Sequence, residues 1–297
     1  MKLSKNVLRM LIWGAVVVLS CTSCTTHIDE TESLTNYANP LIGTAHCRWF
    51  HFAPGAMPFG LAKPASATNA SAGNKGGWEA TGYDYRDKTI EGFPCLHEFQ
   101  IGGIVLMPTV GRLVTVPGPV NTKGKGYRSA FSHDDEIAKP GYYSVILKDY
   151  DIKAELTATK RVAYQRFTFP KSGQSNLLFD IGNQQGESGK VLDAEVIITN
   201  EGFVEGWVET LPLYCNKYQN GATVKMFFSA EMDKKPSVVG TFRKDEQFLN
   251  QRHIKGIGAG AWLTYVTNKG EAVTAKVGLS YTSVKNARIN RITETNN

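Results

Sequence analysis

The stretch "YYSVILKDYDIKAELTATKRVAYQRFTF", Tyr142 to Phe169, alternates apolar and polar residues with a period near two. It divides into three segments, and Val145/Leu147, Ile152/Ala154/Leu156 and Tyr164/Phe167/Phe169 are assigned to their inward faces, with charges on the other side. That is the pattern of strands half buried against a core. More such segments follow: "SNLLFDI" from Ser175, "DAEVIIT" from Asp193, "GFVEGWVE" from Gly202, "ATVKMFFSAEM" from Ala222, "AWLTYVT" from Ala261 and "AVTAKVGLSYTSV" from Ala272. Glycine, proline, asparagine or Lys-Asp turns separate them. Beyond the apolar N-terminal run, no i, i+3, i+4, i+7 spacing persists long enough to predict a helix. The predicted fold is all-β: a large antiparallel β-sandwich of many strands in two sheets.

The N-terminus bounds the setting. Lys2, Lys5 and Arg9 lead into the apolar run "MLIWGAVVVL" and then the small residues "SCTSC". Residues 1–20 therefore read as an export signal, too short to be a membrane span with proper flanks. Cys21, directly after Leu19-Ser20, fits a bacterial lipoprotein signal in which the new N-terminal cysteine carries the lipid. Cys24 is the alternative acceptor, and an ordinary secretory signal is the blander reading. Residues 21–35 are polar and small, as a tether is, so the body is placed at residues 36–290 and a tail at 291–297. The expected location is outside the cytoplasm, lipid-anchored to the bacterial outer membrane, in the periplasm or at the cell surface.

The formal charge of +6 includes Lys2, Lys5 and Arg9 of the leader, which leaves about +3 on the mature chain. That balance indicates no nucleic-acid partner. Besides Cys21, the cysteines are Cys24, Cys47, Cys95 and Cys215, with no C-x-x-C pair among these four. Export permits disulfides, but spacing does not pair these residues, and buried thiols are the favoured state.

Several motifs are weighed and set aside. "HEFQI" places His97 beside Glu98, but H-E-x-x-H needs a second histidine where Ile101 stands, so no two-histidine metal site is expected. "GIGAGA" (Gly256 to Ala261) leads into a strand-like run instead of a helix, which makes it a turn and not a dinucleotide fingerprint. His133, Asp134, Asp135 and Glu136 could ligate a cation or cap a short turn before "AKPGYY", and the cap is favoured.

The region from Asn36 to about Tyr127 is rich in glycine, proline and aromatics, with only short strand-like runs. Trp49, Phe50, His51, Phe52, Trp78, Tyr83, Tyr85, Phe93, His97 and Phe99 are interleaved there with Glu79, Asp84, Asp87, Glu98 and Gln100. Flat rings stack on a pyranose while carboxylates, amides and imidazoles bond its hydroxyls, so this mix suits a sugar site. The same rings serve equally as packing beneath loops.

Seven ordered blocks carry a family resemblance: "YANPLIGT" (Tyr37 to Thr44), "HFAPGAMPFGLAKP" (His51 to Pro64), "GYDYRD" (Gly82 to Asp87), "IEGFPCLHEFQIGGIVLMPTVG" (Ile90 to Gly111), "FSHDDEIAKPGYYSV" (Phe131 to Val145), "AELTATKRVAYQRFTFP" (Ala154 to Pro170) and "VGLSYTSVKNARIN" (Val277 to Asn290). In that order they resemble the N-terminal domain of glycoside hydrolase family 92, the calcium-dependent exo-acting α-mannosidases. The resemblance implies a galactose mutarotase-like supersandwich, followed in the family by an (α/α)6 barrel. It also implies inverting hydrolysis of mannose-containing glycans, in which one carboxylic acid protonates the leaving oxygen and a carboxylate base activates water. A calcium ion is implied to hold the mannose hydroxyls, with its ligands, the acid and the base mostly in the barrel.

By motif, Trp78 and His97 are carried over as sugar contacts, with His51 and Glu98 behind them; no catalytic residue and no metal ligand is assigned within this chain. The usual family block reads "GFSHTH", whereas "GFPCLHEFQIGG" puts Cys95 where the first histidine stands, the mark of a divergent subgroup. The expectation is the N-terminal part of an α-mannosidase, lacking the acid and base and completed by a barrel domain or chain. The alternative is a stand-alone lipid-anchored carbohydrate-binding module.

Overall fold

The computed structural model describes residues 33–45, 52–68, 82–98, 101–184 and 189–295, with the side chains of 98, 101 and 102 left out. The leader, Cys21 and most of the tether lie outside the described residues. The chain divides into two units, Met1–Asn36 and Tyr37–Asn297. In the first, the described residues form a turn in which the Asn36 N–H donates to the Ser33 carbonyl at 2.8 Å.

In the second, the elements are β1 (Thr89–Ile90), β2 (Phe93–Glu98), β3 (Ile101–Val110), β4 (Ser129–Ala130), β5 (Ile137–Lys139), β6 (Tyr142–Leu147), β7 (Ile152–Ala158), β8 (Val162–Phe169) and β9 (Ser172–Asp180). After these come β10 (Lys190–Ile198), β11 (Val204–Leu211), α1 (Leu213–Tyr218), β12 (Val224–Met232), β13 (Val238–Arg243), β14 (Glu246–Leu249), β15 (His253–Lys255), β16 (Ala259–Thr267), β17 (Glu271–Ser280) and α2 (Val284–Thr295). A nine-stranded sheet runs β15-β10-β11-β12-β17-β8-β7-β6-β5, a six-stranded one β14-β13-β16-β9-β3-β2, and β1 pairs with β4. The protein is thus an antiparallel β-sandwich, as its alternation predicts.

Side chains from both sheets meet in the core. Phe179 of β9 stacks on Phe228 of β12 at 6.3 Å between ring centroids, and Phe93 of β2 meets Phe167 of β8 at 5.7 Å. Each ring is at most 1 % exposed, and removing such a side chain from water contributes about 2 kcal/mol. Within the nine-stranded sheet Phe167 lies between Ala154 and Val273 in register, so one inward row crosses three strands.

One inward assignment is corrected. Tyr164 faces outward, where its hydroxyl donates to the Glu294 carbonyl at 3.3 Å, and Gln165 takes the inward position at 0 % exposure. The reason is parity: with Phe167 and Phe169 inward, the residue two places earlier is 165, whatever its polarity. The Gln165 amide nitrogen donates to the Phe93 carbonyl at 3.0 Å and the Cys95 sulfur at 3.2 Å, while the buried Oε1 has no hydrogen-bond partner among the described residues.

The C-terminus is the second departure. The strand predicted to continue through "SYTSV" ends at Ser280, and α2 carries the chain through the tail boundary expected at 290. Its buried residues are Ala287 and Arg291, while Ile289 and Ile292 are exposed, so hydrophobic periodicity had nothing to report. Polar contacts hold it instead. Arg288 forks onto Glu205 at 2.9 and 2.5 Å, Asn290 donates to the Leu279 carbonyl at 2.7 Å, and Arg291 pairs with Glu231 while lying over the Phe203 ring. Gly278 permits the approach: a Cβ there would stand 2.3 Å from the Ala287 carbonyl oxygen.

Candidate functional site

The segment before β2 runs beside that strand, the Lys63 N–H donating to the Cys95 carbonyl at 2.9 Å and the His97 N–H to the Lys63 carbonyl at 3.2 Å, and buried polar groups fasten the loops at this end of the chain. The Thr68 N–H donates to the Gly82 carbonyl at 2.6 Å, which brings together the two ends of the segment containing Trp78. Arg128 donates to the Thr68 carbonyl at 3.3 Å and pairs with Glu91, both side chains being 2 % exposed. Asp84 takes the Thr68 hydroxyl against its own N–H at 2.9 Å and a bidentate fork from Arg86 at 2.9 and 2.6 Å. Tyr127 donates to Asp180 at 2.6 Å. Burial pushes the Asp180 carboxyl up to about 7, and burial likewise raises Asp87.

Beside this lies an aromatic cluster around one carboxylate. Tyr83 donates to Glu136 at 2.9 Å and Tyr143 at 2.7 Å, and the Glu136 side chain is 0 % exposed. Burial first, and then the Glu136 charge, hold both tyrosine hydroxyls well above their ordinary value. His133 reaches Glu136 through Nδ1 at 2.6 Å and the Tyr85 carbonyl through Nε2 at 2.8 Å. A carbonyl only accepts, so Nε2 is the donor in the second contact. Phe52 stacks on Tyr83 at 4.0 Å, and Tyr85 on His133 at 3.8 Å. The short turn His133–Asp135 is there, but its N-terminal cap is Ser132 and not the acidic cluster, since Asp134 and Asp135 lie within the turn itself.

The sequence-derived contacts divide. His97 is on β2 and 1 % exposed, with Nδ1 3.1 Å from the Phe52 carbonyl; it braces the loop that Phe52 belongs to. Glu98 ends β2 opposite Ile101, and its side chain lies outside the described residues, as do His51 and Trp78. Phe52, Tyr83 and Phe93, read as possible sugar platforms, are core at 1 % exposure or less, whereas Tyr85 is 40 % exposed. Sequence reasoning missed Glu91, Arg128 and Asp180, which stand far apart in the chain. Their only signal was a charge inside an otherwise strand-like run. Cys95 is a buried free thiol and burial raises its pKa.

Among the described residues no three His, Cys, Asp or Glu side chains are placed to hold a metal ion. The carboxylates of this end already serve other partners: Asp84 holds Arg86, Glu91 holds Arg128 and Glu136 holds two tyrosines and a histidine. The described residues therefore do not fit a calcium ion, and no step is routed through one.

The chain belongs to glycosyl hydrolase family 92: a family model described as its N-terminal domain matches residues 37–280. Among solved structures it is similar to the family 92 α-mannosidase BT3965 from Bacteroides thetaiotaomicron in complex with mannoimidazole, at 27 % identity and a TM-score of 0.76, over 89 % of this chain and 34 % of that one. The family 92 glycosyl hydrolase ccman5 shows 26 % identity and a TM-score of 0.68 over 88 % and 34 %. The family 92 inverting mannosidase BT2199 from the same bacterium, at 24 % identity and a TM-score of 0.66 over 88 % and 33 %, shares the fold. No curated protein matches. The chain thus spans about a third of the length of these solved relatives.

Proposed function

We propose that this chain is the N-terminal β-sandwich portion of an exo-acting, inverting, calcium-dependent α-mannosidase. It supplies a wall of sugar-contact loops to a site whose acid, base and calcium ligands lie on further polypeptide. The observation that carries this reading is the family match over residues 37–280, together with relatives that are themselves α-mannosidases. Trp78 is the proposed sugar platform, and His51 and Glu98 are proposed as further sugar contacts. His97 acts from beneath, holding the Phe52 backbone. The protein works outside the cytoplasm, anchored through lipid on Cys21.

The test is an immunoblot of the native host with antibody to the sandwich, beside α-mannosidase assays on the captured product with and without a calcium chelator. A product two to three times the chain's 32.6 kDa mass that releases mannose only with calcium supports the reading. A product near 30 kDa that releases none overturns it. A stand-alone carbohydrate-binding module is the second reading, favoured by the partly exposed Tyr85 ring stacked on His133. It requires mannoside binding by the sandwich alone.

A further inference from the structure

Helix α2 crosses the outer face of the nine-stranded sheet, packing on β17, β12, β8 and β11. Along its flank runs a row of side chains that no part of the loop site uses. Thr157 of β7 pairs with Tyr164 of β8, Tyr164 with Lys276 of β17, and Lys276 with Glu231 of β12. Tyr142 stands one place beyond the Tyr143–Leu156 pair and Phe203 one place beyond the Val204–Ala230 pair, which extends the row to β6 and β11. Residues in register on one face of a sheet are neighbours. The row therefore reads Tyr-Thr-Tyr-Lys-Glu-Phe across six strands, a span of roughly 24 Å at the usual spacing between strands.

Thr157 is exposed and short, and the tyrosines on either side of it are half-buried. The result is a trough of about 250 Å³, closed on one side by Glu155, Arg166 and Thr274 of the next row. Both rings are held: the Tyr142 hydroxyl donates to Glu155 at 2.8 Å and the Tyr164 hydroxyl to the Glu294 carbonyl of α2 at 3.3 Å. Glu155 also accepts from Lys153 at 3.1 Å and from Arg166 at 3.0 and 2.9 Å. The charges are thus paired, and Arg166, 55 % exposed, keeps further N–H groups for a ligand. At the far end of the row Phe203 and Glu231 line a larger cleft of about 630 Å³. Arg291 of α2 pairs with Glu231 there and lies over the Phe203 ring.

We infer that this row is a binding site for an extended glycan chain, with the Tyr142-Thr157-Tyr164 trough as its anchor. The inference goes beyond the function proposed above and stands without it, since it shares no residue with the loops. Two fixed rings roughly 10 Å apart, with a small hydroxyl between them, suit a pyranose: its apolar face meets the rings and its hydroxyls meet Thr157, Glu155 and Arg166. The step from strand to strand is close to the advance of one sugar ring along an extended chain, so successive rings meet successive side chains of the row. A peptide fits less well. The row lies on the face of the sheet and offers no open backbone edge for an added strand, and its paired charges give hydrogen bonds with little net field. Rings and side chains that are already held lose little freedom on binding.

The test is calorimetry of the full mature chain with linear gluco-, manno- and xylo-oligosaccharides of increasing length. At least one series is expected to bind, with affinity rising at least tenfold from disaccharide to tetrasaccharide. Thr157→Tyr fills the trough at an exposed strand position and should weaken that binding at least tenfold with the melting temperature unchanged. Tyr164→Ala should weaken it similarly, and Trp78→Ala should leave it intact. No binding by any series at millimolar sugar overturns the inference, as does affinity that ignores chain length. Binding lost in Trp78→Ala but kept in Thr157→Tyr places the sugar at the loops; it overturns the row and leaves the proposed function standing. Binding lost in Thr157→Tyr from a native product that releases no mannose upholds the row and overturns the proposed function alone.

Discussion

Arg128 and Glu91 form an ion pair with both side chains 2 % exposed, and Arg128 also donates to the Thr68 and Gly118 carbonyls at 3.3 and 3.2 Å. One cation therefore ties three stretches of loop to one carboxylate. Arg128→Met should cost about 3 to 5 kcal/mol, because it leaves the Glu91 carboxylate buried without its counter-charge. The double change Glu91→Met with Arg128→Met should recover most of that loss. Urea unfolding of the set decides it: losses that simply add would show that the pair is not coupled.

Asp180 gives the fold a pH dependence. Its carboxyl is pushed up from 3.8 to about 7 by burial, with the Glu91 charge acting in the same direction. Since the folded state holds this proton more tightly, the associated stability is complete below about pH 4 and is lost as pH rises through about 7. By the conversion of 1.36 kcal/mol per pKa unit the loss is about 4 kcal/mol at most. Asp180→Asn should flatten the change in unfolding free energy between pH 5 and pH 8. An unaltered pH profile in that variant would remove Asp180 as the cause.

The helix α2 is held by charge and by a glycine, and both can be probed. Gly278→Ala places a methyl 2.3 Å from the Ala287 carbonyl oxygen and 2.7 Å from the Arg291 Cβ, so the helix must lift. Arg291→Ala removes the contact to Glu231 and the cation over Phe203, at a cost on the order of 2 kcal/mol. In both variants amide exchange should accelerate across residues 284–295 before the strands respond. Uniform acceleration through the whole sandwich would contradict a helix that opens by itself.

His97 and Trp78 should separate by phenotype. His97→Ala removes a buried ring that meets the Phe52 carbonyl, and should lower the melting temperature by several degrees. Trp78→Ala should leave melting unchanged and weaken binding of an α-mannoside at least tenfold, read by calorimetry on the native product. If His97→Ala changes affinity at constant melting temperature, the two roles are reversed.

The sandwich was legible because alternation is local: each strand announces its own inward face, as Val145 and Leu147 do on β6. Even Gln165 follows the rule once the parity of Phe167 and Phe169 is counted. The loop end was legible only as a composition, since rings such as Phe52 and Tyr85 read alike in sequence while one is buried at 1 % and the other exposed at 40 %. Glu91 to Arg128 and Tyr127 to Asp180 are pairings across 37 and 53 residues, set by how sheets stack. Helix α2 stayed hidden because the side chains it buries include an arginine.

The position of β17 between β8 and β12 also sets a timetable. During synthesis β5 to β8 are made early and β10 to β12 later, yet the strand that joins these two groups is the last one of the described chain. Until it emerges, β8 and β12 each present an open edge able to pair with any extended segment nearby. Glu294 reaches the β7–β8 turn later still, more than a hundred residues after Arg161 was made. A chain interrupted before Glu271 would therefore carry two unsealed edges rather than a smaller sandwich, and would be prone to aggregate.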